Sequence, residues 1–326
     1  MAESLFTRSP RNPILTPGGH WWESRAVLNP GVVLHEGRVI LVYRAVGGDG
    51  LSRFGLAWSR DGEEIEGRLN LPFYEGALDD PFARLGVEDP RITMLDGCYY
   101  FTYCKASVEV CTTPPLHWEF APFRVRSGVG VTQDFDVLRE VGTILPDTNT
   151  KDSVLFPERI DGRFAALIRE FPSIQYATSE DLVSWSDPVP VMEPVPGTWE
   201  GERIGAGPPP IPTPWGWLLV YHGNEYFHRE TNHRLYRTGL ALLDADEPWK
   251  VLYRHPEPIF SPEAPYEIEG PVGNVVFAIG LVEIGDRFYL YYGAGDGVIG
   301  VATADREAVF DLIRRGLPAG DGVGQG

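Results

Sequence analysis

Short apolar runs punctuated by Gly, Asp and Pro turns fill this chain, and helical periodicity is almost absent. Five loosely similar units recur, each a tight turn, an aromatic and aliphatic strand, then a small-residue strand closing on a polar turn. They read HEGRVILVYRA and FGLAWSRDG over 35–62, LDGCYYFTYCK and VGVTQDF over 95–135, and IDGRFAALIRE and SIQYATSEDLVSW over 160–185. PWGWLLVYHG and YRTGLALLD follow over 214–244, then IGDRFYLYYGA and VIGVATAD over 284–305. The strong strands begin near residues 39, 98, 163, 217 and 287, a spacing that suits four-stranded blades joined by long loops. The pattern predicts an all-β chain, a five-bladed β-propeller, with a two-sheet sandwich plus an extra domain as the alternative. In REAVFDLIRR, Val309, Leu312 and Ile313 share a face, which predicts a short C-terminal helix over about 305–315. Arg314 and Arg315 suit the negative end of its dipole. That helix docks either on the ring or on another subunit, so a homo-oligomer stays open. Ring and helix are expected to form a single domain over 1–316, followed by a flexible Gly-rich tail over 317–326.

Charge and composition then narrow the function. Among 326 residues, 46 Asp and Glu outweigh 28 Lys and Arg, and the formal charge of −18 leaves no basic face for nucleic acid. Gly (37) and Pro (29) are abundant, but 43% apolar and 12% aromatic residues belong to a chain that folds and turns often. Cys98, Cys104 and Cys111 are odd in number and lack zinc-type spacing, so neither a metal site nor a disulfide framework follows. The N-terminal residues hold no signal-length apolar stretch, and the longest apolar run, near Val275–Val282, is too short for a bilayer. A cytoplasmic protein with no membrane partner is the expectation.

In a propeller, ligands bind at the axial mouth, where the innermost strands begin and their loops converge. Five segments there combine Gly, Pro and charge ahead of an apolar strand: LNPGVV (28–33), GVEDPRIT (86–93), TKDSVLFPE (150–158), ERIGAGPPPI (202–211) and EGPVGNVVF (269–277). GVEDPRIT, KDSVLFPE, RIGAGPPPI, WLLVYHG, YRTGLALLD, NVVF and YYGAGD resemble, in order and over nearly the whole chain, the signatures of glycoside hydrolase family 130. That family consists of five-bladed propellers, mostly inverting mannoside phosphorylases.

The resemblance implies an enzyme that transfers a mannosyl unit from a β-1,2- or β-1,4-linked mannoside to inorganic phosphate, giving α-D-mannose 1-phosphate. No metal or organic cofactor is implied; phosphate is the co-substrate. Inversion needs one acid on the leaving oxygen and a nucleophile on the opposite face of the ring. The Asp of EDPR, Asp89, is the implied proton donor, relayed through a sugar hydroxyl, with Glu88 a supporting carboxylate. Lys151, Arg169, Arg203, His222 and Tyr236 match the phosphate-binding positions, and Asn29, Arg44, Ser52, Arg53, Arg91 and Asp296 those around the mannosyl unit. Arg203 stands where family phosphorylases tend to carry Lys, and Glu170 where they tend to carry Pro. Read without the resemblance, Lys151 is an exposed loop lysine, Arg203 a partner for Glu200 or Glu202, and Arg44 with Asp296 an ion pair closing blade one on blade five. Phe277 either lines the pocket or packs inside its strand, and Trp21, Trp22, Trp118 and Trp199 sit in loops that suit an acceptor sugar. The acceptor itself depends on the loops at 107–122 and 224–233.

Three rivals remain. A β-mannosidase of the same family would activate water with a carboxylate, for which Glu170, Glu200 and Glu202 are the candidates. Arabinanase-like or sucrase-like five-bladed hydrolases place an Asp base where this chain has Asn29-Pro30. A non-catalytic sugar-binding propeller needs neither Asp89 nor a cationic cluster.

Overall fold

The computed structural model describes residues 4–77, 79–108, 123–228 and 233–317. Within them, the alternating apolar runs form five antiparallel sheets arranged as propeller blades, each running from an inner strand outwards. Blade one holds Ala26–His35, Arg38–Val46, Ser52–Ser59 and Ile65–Arg68. Blade two holds Val87–Leu95, Cys98–Val108, Phe123–Thr132 and Arg139–Ile144, and blade three Thr150–Leu155, Phe164–Glu170, Ser173–Ser179 and Val189–Met192. Blade four opens with the short pieces Arg203–Ala206 and Ile211–Thr213 on one partner, Gly216–His228, followed by His233–Leu243 and Val251–Arg254. Blade five takes Val276–Ile284, Arg287–Ala294 and Val298–Asp305, and its outermost strand, Thr7–Arg8, comes from the other end of the chain.

Strands buried on both faces explain the near-continuous apolar runs, and five wedge-shaped cores fill the spaces between neighbouring blades. The helix Arg306–Gly316 docks on the ring: Val309 and Ile313 are buried against blades four and five, and Phe310 packs edge-on to Trp215 and Phe288.

Two repeated devices position the axial residues. The inner strands of blades one, two and three each bulge, with register shifts between Leu28 and Gly31, Glu88 and Arg91, and Lys151 and Val154. Inside each bulge a polar residue adopts a positive φ, 48° at Asn29, 52° at Asp89 and 51° at Asp152. The extra residue breaks the side-chain alternation and turns that polar group to the axis. Close packing there leaves no room for a larger residue at Gly31, whose added Cβ would lie 2.4 Å from the Pro90 carbonyl oxygen.

The second device ties the second strand of four blades to its surroundings. Tyr43 donates to the buried Glu23 at 2.8 Å, with Arg68 at 3.3 Å from the same carboxylate. Tyr292 donates to Glu267 at 2.9 Å, paired with Arg8 at 2.7 Å, and Arg254 bridges Tyr221 and Glu200. In blade two, Tyr103 meets Tyr74, and the cation is Lys105, held by Asp80 and Glu140. Blade three has the apolar Ile168 at this position and dispenses with the arrangement.

Candidate active site

The bulges and the ends of the second strands enclose an axial cavity of about 530 Å³. Its walls carry eight of the expected residues: Asn29, Arg44, Asp89, Lys151, Arg169, Arg203, Tyr236 and Asp296. Phe277 lines it as well, together with Glu88, Asp152 and Arg234.

On the side of blades one and two, Asp89 is the centre. Asn29 Nδ2 donates to its Oδ1 at 2.7 Å, and Lys151 Nζ lies 3.0 Å from its Oδ2. The same Lys151 Nζ is 3.0 Å from Glu88 Oε2, whose other oxygen takes Arg44 at 2.7 Å. Lys151 therefore belongs to the strand and its ion pairs, not to an exposed loop. Arg44 is turned to Glu88, and at 3.5 Å to Asp89, in place of a closing pair with Asp296. Burial resists ionisation of Asp89, yet Lys151, Arg44 and the Asn29 hydrogen bond outweigh it and hold the carboxyl well below its ordinary range. At Asp296 the balance reverses: burial, with Asp89 and Glu88 nearby, pushes its pKa up to about 6 against the pull of Arg44 and Lys151.

Blades three and four supply the cations. Arg169 and Arg203 face the cavity, and the Arg203 guanidinium contacts the Tyr236 hydroxyl. Burial opposes ionisation of Tyr236, but Arg203 and Arg234 prevail and lower its pKa. Arg203 thus finds a phenol partner, while Glu200 is committed to Arg254 at 2.6 Å.

Four expected residues do not reach the cavity wall. Ser52 is buried and accepts Arg44 Nε at 2.9 Å. Arg53 is occupied by Asp49 and Glu75, each at 2.7 Å, beneath the exposed ring of Trp21. Arg91 is sealed under the floor, donating to the carbonyls of Asp89, Ala206 and Gly207 and to Asp152. His222 lies behind Asp152, 3.2 Å from its carboxylate and against the Phe277 ring, with burial lowering its pKa to about 4. Trp22 and Trp199 are buried, leaving Trp21 exposed at 59%; Trp118, Cys111, most of the 107–122 loop, part of the 224–233 loop and residues 318–326 lie outside the described residues.

Asp152, inside the quoted TKDSVLFPE segment, was missed by sequence reasoning although it shares its wall position with Lys151. The signal available was serial: Asn29-Pro30, Asp89-Pro90 and Asp152-Ser153 occupy equivalent places at the start of three inner strands.

A cavity that brings a buried carboxyl and several cations together is equipped to hold an anion near a proton source. Comparison with known proteins adds the family. The chain is 38% identical to a β-1,2-mannobiose phosphorylase of Thermoanaerobacter sp. strain X514, over 93% of this chain and 98% of the relative. It is 36% identical to a 1,2-β-oligomannan phosphorylase of the same strain, over 91% and 96% of the two chains. The solved β-1,2-mannobiose phosphorylase of Listeria innocua, in complex with β-1,2-mannobiose, superposes with a TM-score of 0.80 at 27% identity, covering 95% of this chain and 99% of that one. A family model described as β-1,4-mannooligosaccharide phosphorylase matches residues 9–315, and on these grounds the chain belongs to glycoside hydrolase family 130.

Proposed function

We propose that this protein is an inverting mannoside phosphorylase with Asp89 as proton donor and with Lys151, Arg169, Arg203 and Tyr236 receiving phosphate. The observation that carries the reading is the set of cations that blades three and four turn to the cavity: among the described residues, every cavity carboxylate beside Lys151 or Arg169 is already engaged by a cation, and none is free to activate water. Asp152 is engaged by Arg91 and Arg169, Glu200 by Arg254, and neither Glu170 nor Glu202 is among the cavity residues. Phosphate arrives already anionic and needs cations to hold it, whereas water needs a base.

In this scheme a phosphate oxygen bonds to the anomeric carbon as the bond from that carbon to the leaving oxygen breaks. The leaving oxygen receives the proton of Asp89. In the unliganded protein that carboxyl is ionised, held by Lys151. A phosphate dianion beside Lys151 draws the ammonium away, and the carboxyl regains affinity for the proton it must deliver. Asn29, Arg44 and Asp296 border the space left for the mannosyl ring. The relatives named for β-1,2 linkages support a β-1,2-linked mannoside as substrate. A cytoplasmic setting, with its supply of inorganic phosphate, belongs to the same proposal.

Incubation with β-1,2-mannobiose, with and without phosphate, tests it by chromatography of the products. Mannose 1-phosphate is expected, at a rate that saturates with phosphate, and Asp89→Asn should cut that rate by about a hundredfold or more without unfolding the chain. Release of free mannose alone, independent of phosphate, would establish the mannosidase instead.

A further inference from the structure

Asp152 has no part in this scheme, yet its side chain is fully buried at the cavity's edge against two guanidinium groups and an imidazole. Oδ1 accepts from Arg91 at 3.1 Å, while Oδ2 contacts the Arg169 guanidinium and lies 3.2 Å from His222 Nε2. Blade four makes space for this group with a glycine. A Cβ on Gly205 would stand 2.6 Å from His222 Nε2 and 2.8 Å from Asp152 Oδ2. The backbone is also committed: Asp152 holds φ at 51°, a left-handed conformation that a non-glycine residue keeps where its surroundings fix it.

We propose that Asp152 is a positioning residue for phosphate: its carboxylate, held by Arg91 and lying against His222, fixes the Arg169 guanidinium at the cavity wall. The proposal rests on the phosphorylase reading and goes beyond it by assigning a role to a residue that does not hold phosphate itself. The physical need is clear from the neighbours. Arg169 and Arg203 line the same cavity, and like charges confined there repel unless an anion holds one of them in place when phosphate is absent. Asp152 supplies that anion permanently from behind. A base it is not: Arg169, Arg91 and His222 overcome the effect of burial and keep its proton affinity far below that of a group able to deprotonate water.

Asp152→Asn keeps the shape and removes the charge. Steady-state phosphorolysis of β-1,2-mannobiose, with both substrates varied, should show the KM for phosphate raised about tenfold or more, the scale of a lost charge-assisted contact, while the KM for the mannoside stays within about threefold. Gly205→Ala leaves every charge in place but crowds Asp152 against His222, and it should raise the phosphate KM in the same selective way to a smaller extent. Circular dichroism establishes that each variant is folded; if Asp152→Asn is not, Gly205→Ala decides. An unchanged phosphate KM, or equal rises in both KM values, overturns the role of Asp152 while the wild type still saturates with phosphate. A wild type indifferent to phosphate overturns the parent reading instead, so the two failures are distinct.

Discussion

Asp89 and Asp296 line one cavity, and their surroundings drive their proton affinities in opposite directions. Such a divergence is what acid–base chemistry at neutral pH requires of a pair of carboxyls. It also carries a cost in stability, with a sign that can be worked out. The folded-state pKa of Asp296, about 6, stands above the ordinary carboxyl value of 3.8, so the folded chain retains a proton that the unfolded chain has released. Stability is therefore lost as pH rises through that window and stays lost above it. Asp296→Asn, neutral and of equal shape, should stabilise the protein at pH 8 by about 3 kcal/mol and leave it nearly unchanged at pH 4, while mannoside turnover falls. Thermal melts of both proteins at the two pH values measure this, and the absence of any gain at pH 8 would show that the surroundings of Asp296 do not raise its pKa. His222 has the opposite linkage: burial depresses its pKa to about 4, so its contribution is lost as pH falls below the ordinary imidazole range.

Bulges, more than side-chain choice, decide which groups meet at the axis. Asn29 and Asp89 touch at 2.7 Å because two inner strands each carry an extra residue at equivalent places and pack backbone to backbone, with Gly31 against Pro90. Gly31→Ala should force those strands apart, destabilising the fold by about 1–3 kcal/mol and lowering kcat through misalignment of Asn29 and Asp89. Equilibrium unfolding together with kcat checks it; a variant with wild-type stability and rate would mean that the inner strands pack less tightly than the contact distances imply. This explains what the sequence could and could not reveal. Strong second strands were legible because both faces are buried, and the observed Arg38, Cys98, Phe164, Gly216 and Arg287 starts fall close to the expected ones. Outer strands such as Ile65–Arg68 and Val189–Met192 are only four residues long and partly exposed, too short for an alternation to show, and Pro190 in the second reads as a turn. At the site, EDPR and KDS marked which residues approach the axis. They did not mark depth, so Arg91 and His222, below the floor, were indistinguishable from Lys151 and Arg169 at the wall.

The ring as a whole is closed by the N-terminal segment laid along the last blade: Thr7 pairs with Thr303 and Arg8 with Ala302, Leu15 bridges Ile299, and the Arg8 side chain adds its own contacts. Arg8 reaches Glu267 at 2.7 Å, donates to the Ser261 carbonyl at 2.6 Å and lies over the Phe260 ring. Because Glu267 is fully buried, Arg8→Ala strands a carboxylate without its cation and should cost about 3 kcal/mol, seen as a lower denaturant midpoint at unchanged slope. An unaltered midpoint would place the closure elsewhere. The two halves of this fastening emerge from the ribosome almost a full chain apart, and no local turn brings them together. Blades one to four can assemble during synthesis, while Thr7–Arg8 waits unpaired and the last blade exposes the edge of Val298–Asp305. In that interval the edge accepts the corresponding strand of a neighbouring chain as readily as its own, so crowded refolding favours strand-exchanged dimers that dilution would resolve into single rings.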